Sequence, residues 1–151
     1  MSVAAGHKLL FGRLYHSVWN DRKLEYIEQV FAKTHALSAP TMSGRSVGPA
    51  VYRRHVERFL SAFPDLKFTV NDTISEKDKL VVEWTMTGTH QGDFLGVPAT
   101  NKKVSITGIT INQIADGKII ESTVAWDGLS LLRQLGIEPL SASQMQAVSG
   151  R

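Results

Sequence analysis

Asp127 stands where a carboxylate could take a proton. The stretch 121–136, ESTVAWDGLSLLRQLG, opens like a strand and finishes like a helix, with Asp127 at the join. Charged side chains avoid such apolar company unless they are paired or used. One role is structural: Asp directly before GLSLLRQL, with Gly136 at the far end, is a good helix N-cap. The other is catalytic, since a carboxylate in a water-poor site has a raised pKa and becomes a stronger base toward an already acidic proton. The two roles are compatible. A base also needs a partner to hold the developing oxyanion. His90 is the first candidate by strand-end geometry, followed by His35 and His55. His55 interrupts an apolar helical stripe, so it is either a hydrogen-bonded core histidine or a group projecting into a cavity. Ser105, Thr107 and Thr123 could add hydroxyls.

Other chemistries find little support. Cysteine is absent, which removes thiol nucleophiles, thiolate metal sites and disulfides. The five histidines, His7, His16, His35, His55 and His90, show no close ligand spacing with a supporting acid, so no metal is expected. There is no G-x-G-x-x-G after a strand, no P-loop and no G-x-S-x-G, so no cofactor is expected either. Net charge is only +3 and the basic residues are spread out, which argues against nucleic acid. Arg53, Arg54, Glu57 and Arg58 read as a solvated helix face. No run could span a bilayer, and MSVAAGHKLLF lacks a secretory core, so a cytoplasmic protein without membrane contact is expected.

The elements that must position these groups follow from periodicity. A length of 151 residues suits one domain. Leu10, Phe11, Leu14, Tyr15, Val18 and Trp19 form one helical stripe. Asp21 caps a second helix carrying Leu24, Ile27, Val30 and Phe31, and THALSAPTMSGRSVG reads as a loop. Pro49 opens a third helix with the stripe Tyr52, His55, Val56, Phe59, Leu60 and Phe63. From Leu66 the period changes to two. LKFTVNDTI, KLVVEWTMTGTH, KVSITGITINQI and KIIESTVAWD read as four consecutive strands. Helices over about 7–63, a sheet over about 66–127, a C-terminal helix at 128–135 and a frayed tail at 137–151 make an α+β domain. Its helices are expected to pack on one face of a curved antiparallel sheet.

Facing follows from register. Leu80, Val82, Trp84 and Met86 share the parity expected to meet the helices, with His90 on the same side. For the last hairpin, a three-residue turn with a glycine bulge pairs Ile114 with Lys118 and turns Ile109, Ile111, Ile119 and Asp127 inward. Ser105 and Thr107 then lie near Asp127, whereas Gln113 is about eight residues away, roughly 25 Å along the strand. Ile120, Val124 and Trp126 are left as an outward apolar stripe, which suggests a homodimer. Phe59, Phe63, Trp84, Met86, Trp19 and Tyr15 divide between core and pocket wall.

The second half resembles the SnoaL-like polyketide cyclase family, which has the cone-shaped fold of nuclear transport factor 2. The matching pieces are AFPDLKF at 62–68, EWTMTGTHQGDFLGVPAT at 83–100, ITGITINQIADGKIIES at 106–122 and WDGLSLLRQLG at 126–136. Two positions depart from the pattern. Thr123 stands where relatives often carry Trp, and KTHALSAPTMSGRS holds His35 without the acidic neighbours of its counterpart. The resemblance implies a cone-shaped α+β barrel and a small, hydrophobic, polyketide-like substrate. It also implies ring closure in natural-product (antibiotic) biosynthesis without a cofactor, with the residue matching Asp127 as general base. On this basis the catalytic candidates are Asp127 and His90. The substrate-binding candidates are His35, His55, Phe59, Trp84, Met86, Thr107 and Thr123. Relatives on this scaffold also open epoxides or form cyclic ethers, for which Asp93 and Glu121 are the remaining acids, and others only bind or assemble.

Overall fold

The computed structural model describes residues 3–138 and Ser143. Helix α1 (Val3–Phe11) runs directly into a π-helix (Gly12–Asn20), closed by the Asp21 N–H bonding the His16 carbonyl. Together they bury Leu10, Leu14, Tyr15, Val18 and Trp19, the stripe that the spacing predicts. After a 3-10 turn (Leu24–Tyr26) come α2 (Ile27–Val30), β1 (Phe31–Ser38), β2 (Ser46–Val47) and α3 (Pro49–Ala62). Strands β3 (Lys67–Glu76), β4 (Lys79–Thr89), β5 (Lys103–Ala115) and β6 (Lys118–Trp126) follow, then α4 (Gly128–Gln134).

The class is α+β, as expected, but the sheet is larger than the four strands read from periodicity. Its six strands run in the order β2-β1-β6-β5-β4-β3, with β1 parallel to β6 and the remaining pairs antiparallel. The sheet is therefore mixed and open, with β2 and β3 at its edges. The second helix is also shorter than expected, because Phe31 already begins β1. Strand β1 was hidden in a segment that reads as a loop for a physical reason. Its buried positions are Phe31 and then His35, Ala36 and Leu37 in succession, across a register irregularity between Phe31 and Ala36. That pattern has no period of two. Of the expected tail, 137–151, only Ile137, Glu138 and Ser143 fall within the described residues. No helix among the described residues is long and apolar enough to cross a membrane.

Register decides which side chains face the helices. The inward set of β4 is the expected one: Leu80, Val82, Trp84 and Met86 are all buried. They lie opposite Asn112, Thr110, Gly108 and Ile106 of β5, so this β5 face turns inward. Ile109 and Ile111, expected inside, are 49% and 45% exposed. The β5–β6 turn is also a two-residue one, pairing Ala115 with Lys118 across Asp116 and Gly117, whose φ values of 52° and 74° suit the primed hairpin turn. The bulge falls beyond the turn: Ile114 opposes Ile119, but Gln113 opposes Glu121. Ile120 is the extra residue. After it, Ser122, Val124 and Trp126 point the same way as Asn112, Thr110 and Gly108. The apolar stripe on which a homodimer was expected is thus not an outward one, since Val124 and Trp126 pack against the core cluster.

Gly108 is the tightest point of this register. A Cβ there would stand 2.2 Å from the Trp84 indole, far inside contact distance. Gly108→Ala should therefore displace the indole and destabilise the fold by about 3 kcal/mol, the scale of core overpacking. Urea denaturation measures it, and a Trp84→Leu background should recover most of the loss. An unchanged midpoint in Gly108→Ala would refute the close fit.

Candidate active site

Between the helices and the inward face of the sheet lies a cavity with about 30 Å³ of space for water centres. Trp19, Phe59, Phe68, Trp84, Met86, Leu14, Val124 and Trp126 supply its apolar lining. Its polar lining is Tyr15, Tyr52, His55, Thr110, Asn112 and Ser122. No carboxylate is among these residues. Phe59, Trp84, Met86 and His55, four of the substrate-binding candidates, are among these lining residues.

Two hydrogen-bonded groups order the polar side. Trp84 Nε1–H donates to Thr110 Oγ1 at 3.0 Å, and Thr110 also bonds the Tyr15 hydroxyl. Asn112 Nδ2 donates to the Leu80 carbonyl at 3.3 Å, which turns its Oδ1 toward Ser122. Ser122 Oγ–H donates to that oxygen at 2.9 Å, and His35 Nε2 lies 2.9 Å from Ser122 Oγ. A serine has one hydroxyl proton, and here it is committed to Asn112. His35 must therefore donate through Nε2–H, leaving Nδ1 as a bare lone pair, buried and without a partner among the described residues. Burial pushes the His35 pKa down to about 4, in keeping with this neutral tautomer. His35 does not line the cavity; it stands behind Ser122, which does.

His55 is different. Its ring packs edge-on against Trp19 at 6.1 Å, beside Tyr52 at 5.8 Å and against Phe59 at 5.0 Å. Among the described residues its nitrogens have no hydrogen-bond partner. Burial, and then the nearby Arg58 charge, lower its pKa to about 4, so it is neutral near pH 7. Tyr52 accepts a hydrogen bond from Trp19 Nε1 at 2.9 Å, which leaves its own O–H free to donate. Burial raises the pKa of Tyr52 first of all, and the Tyr15 hydroxyl is raised by burial too, so both stay protonated. Trp126 Nε1–H is buried with no partner among the described residues.

The remaining candidates lie elsewhere. Asp127, expected in the cavity, is exposed and accepts the Ser130 N–H at 3.0 Å, an N-cap on α4. Its backbone N–H bonds the Thr107 carbonyl, and Thr107, Thr123 and Ser105 are exposed on the outer face of the sheet. The cause is the register described above, which turns this whole parity outward. His90 is fully buried, but it holds the 91–102 loop rather than the cavity. Its Nδ1 accepts the Thr100 N–H at 3.2 Å and lies 3.0 Å from Thr100 Oγ1, and its ring packs on Phe63 at 5.5 Å. Sequence reasoning did not select Tyr52, Thr110, Asn112 or Ser122 for the site. For Thr110 and Asn112 the signal was present in ITINQI, where they alternate with two isoleucines, but the stronger apolar pair claimed the inner face. Among the described residues no group of His, Asp or Glu is placed to hold a metal ion.

Solved structures share this architecture. AclR from Streptomyces galilaeus, proposed to be a hydroxylase, is 27% identical, with 97% of this chain and 91% of that one covered at a TM-score of 0.77. TsrD from Streptomyces laurentii is 26% identical, with 90% and 98% covered at a TM-score of 0.81. A proposed polyketide cyclase from Acidithiobacillus ferrooxidans is 25% identical, with 90% and 98% covered at 0.76. No curated protein matches the chain. The fold is the cone-shaped α+β fold of nuclear transport factor 2 relatives. The family model for SnoaL-like polyketide cyclase matches residues 10–135, and the chain belongs to that family.

Proposed function

We propose that this chain is a cofactor-independent cyclase of a polyketide-derived intermediate, with His55 as its acid/base group in place of Asp127. The observation that carries this reading is the neutral imidazole of His55, uncommitted among the described residues, inside an apolar cavity that no described carboxylate lines. An imidazole nitrogen can take the C–H proton between two carbonyls, a proton acidic enough for a weak base. The resulting enolate oxygen would accept from the Tyr52 O–H and from Trp126 Nε1–H, both donors without a committed acceptor. The enolate carbon then attacks a carbonyl of the same molecule, forming the C–C bond, and the new alkoxide recovers the proton from the His55 imidazolium. Atoms balance, and the base is regenerated. In a low-dielectric site such fixed donors act more strongly than in water. About 30 Å³ holds a water molecule and little more, so a substrate must displace side chains to enter.

The test is hydrogen–deuterium exchange at the carbon between the carbonyls of 1-phenylbutane-1,3-dione, followed by NMR beside thermal stability. His55→Phe should keep the fold and lose the catalysed exchange by about 100-fold or more. Asp127→Asn should exchange at the wild-type rate, since Asn caps a helix about as well as Asp. Full activity in His55→Phe, with loss in Asp127→Asn, would return the role to the carboxylate.

The pH dependence has a defined sign. His35 and His55 titrate near 6.5 when unfolded and at about 4 when folded. Between those values the unfolded chain binds more protons, so stability is full above pH 6.5 and falls as pH drops toward 4. Melting temperature should be lower at pH 4.5 than at pH 7, with a smaller drop in His55→Phe. An equal drop in that variant would show that His55 is not protonated on unfolding.

A further inference from the structure

A second, larger space lies against the first. Between the α1–π-helix arm and β3 runs a groove of about 950 Å³. That volume is at the upper end of small-molecule sites, roughly 300–1,000 Å³. Hydrogen bonds join its two walls toward either end. At one end Asn20 clamps the outer edge of β3, its Nδ2 donating to the Phe68 carbonyl at 2.9 Å and its Oδ1 accepting the Phe68 N–H at 2.8 Å. At the other end His7 Nδ1 is hydrogen-bonded to Ser75 Oγ. The seven residue steps from Phe68 to Ser75 span roughly 23 Å at strand rise.

Phe11, Tyr15, Phe68, Val70 and Leu80 give the groove an apolar lining. Its charged lining is Lys8 from α1, Lys67 and Asp72 from β3, with the titratable His7 and His16. Asp72 Oδ1 already accepts the Thr73 N–H at 2.8 Å. Among the described residues neither lysine has an ion-pair partner. The groove is thus long and apolar, with one cation near each end, Lys67 beside the Asn20 clamp and Lys8 beside His7. Two of its residues, Tyr15 and Phe68, also line the inner cavity, with their rings edge-to-face at 5.8 Å. These two side chains are thus common to the groove and to the chamber that holds His55. Tyr15 stands on the π-helix, a rare conformation often found at functional sites.

We propose that this groove binds an elongated apolar molecule with one carboxylate end, and that Tyr15 and Phe68 are the gate through which it reaches His55. Only that destination rests on the cyclase reading; binding in the groove does not depend on it. Dodecanoate is the probe and dodecanol its uncharged control, both titrated by calorimetry below their solubility limits. Gly12 lines the groove, and a Cβ there would meet no atom within 4 Å, so Gly12→Phe fills the groove without touching the core. Dodecanoate should bind one per chain, and Gly12→Phe should weaken it at least tenfold with the melting temperature retained. One carboxylate can meet only one of the two lysines, so one of the single reversals, Lys8→Glu or Lys67→Glu, should weaken dodecanoate and leave dodecanol unchanged. Gly12→Phe should also raise KM for the diketone exchange while keeping kcat. No binding of dodecanoate at millimolar concentration, or equal binding in Gly12→Phe, would overturn the site. An equal effect of the lysine reversals on dodecanol would overturn the carboxylate, and an unchanged KM would overturn the gate. His55→Phe should bind dodecanoate like the wild type. If that variant keeps full exchange activity, the cyclase reading falls while the groove stands.

Discussion

The indole of Trp84 lies over the bare backbone of Gly108, and much of the molecule depends on that contact. Trp84 and Gly108 are directly opposed on β4 and β5, and a side chain at 108 would occupy the space of the ring. Slipping the pair by one residue would put the Cβ of Thr107 or Ile109 beneath the indole. The close fit therefore fixes the β4–β5 register, and the register fixes which residues of β5 face the helices. It also aims Trp84 Nε1 at Thr110, which in turn bonds Tyr15 at the boundary of the cavity.

The next strand carries the consequence further. The extra residue at Ile120 lets a tight two-residue turn coexist with an inward Ser122, Val124 and Trp126. Without it, Thr123 would oppose Thr110 and Asp127 would swing to the inner face. With it, Asp127 emerges at the surface as a helix cap, and no described carboxylate lines the cavity. What remains are groups held neutral from both sides. Burial lowers the pKa of His55 and raises those of Tyr15 and Tyr52, so a proton acceptor and proton donors stand side by side in their uncharged forms. Such a site favours chemistry that starts from a neutral, weakly acidic molecule.

A buried polar chain joins this face across four adjacent strands. His35 on β1 bonds Ser122 on β6, Ser122 bonds Asn112 on β5, and Asn112 bonds the Leu80 carbonyl on β4. Each link leaves its donor committed, which sets the tautomer of His35 and the amide orientation of Asn112. A chain of this kind holds the parallel strand β1 in place, and leaving any member unpaired would cost more than the bond itself is worth.

By itself, the sequence determined what local patterns can encode. Leu14 to Trp19 and Tyr52 to Phe59 declared helix faces through their spacing, and Leu80 to Met86 declared the inner face of β4 through strict alternation. The α+β class and the helix cap at Asp127 followed from such patterns, and the family from a resemblance carried by motifs such as GTHQGDFLG and WDGLSLLRQLG. Strand β1 stayed hidden, because its buried residues are consecutive and its partner, β6, lies some 80 residues away in the chain. The facing of β5 and β6 was decided only by tertiary structure. The long 90–102 connection sets no register, and one bulged residue reverses every side chain beyond it. Alternation announces that a strand has two faces. Which face is inside depends on the strand that it pairs with, and here that was settled by where one indole could lie.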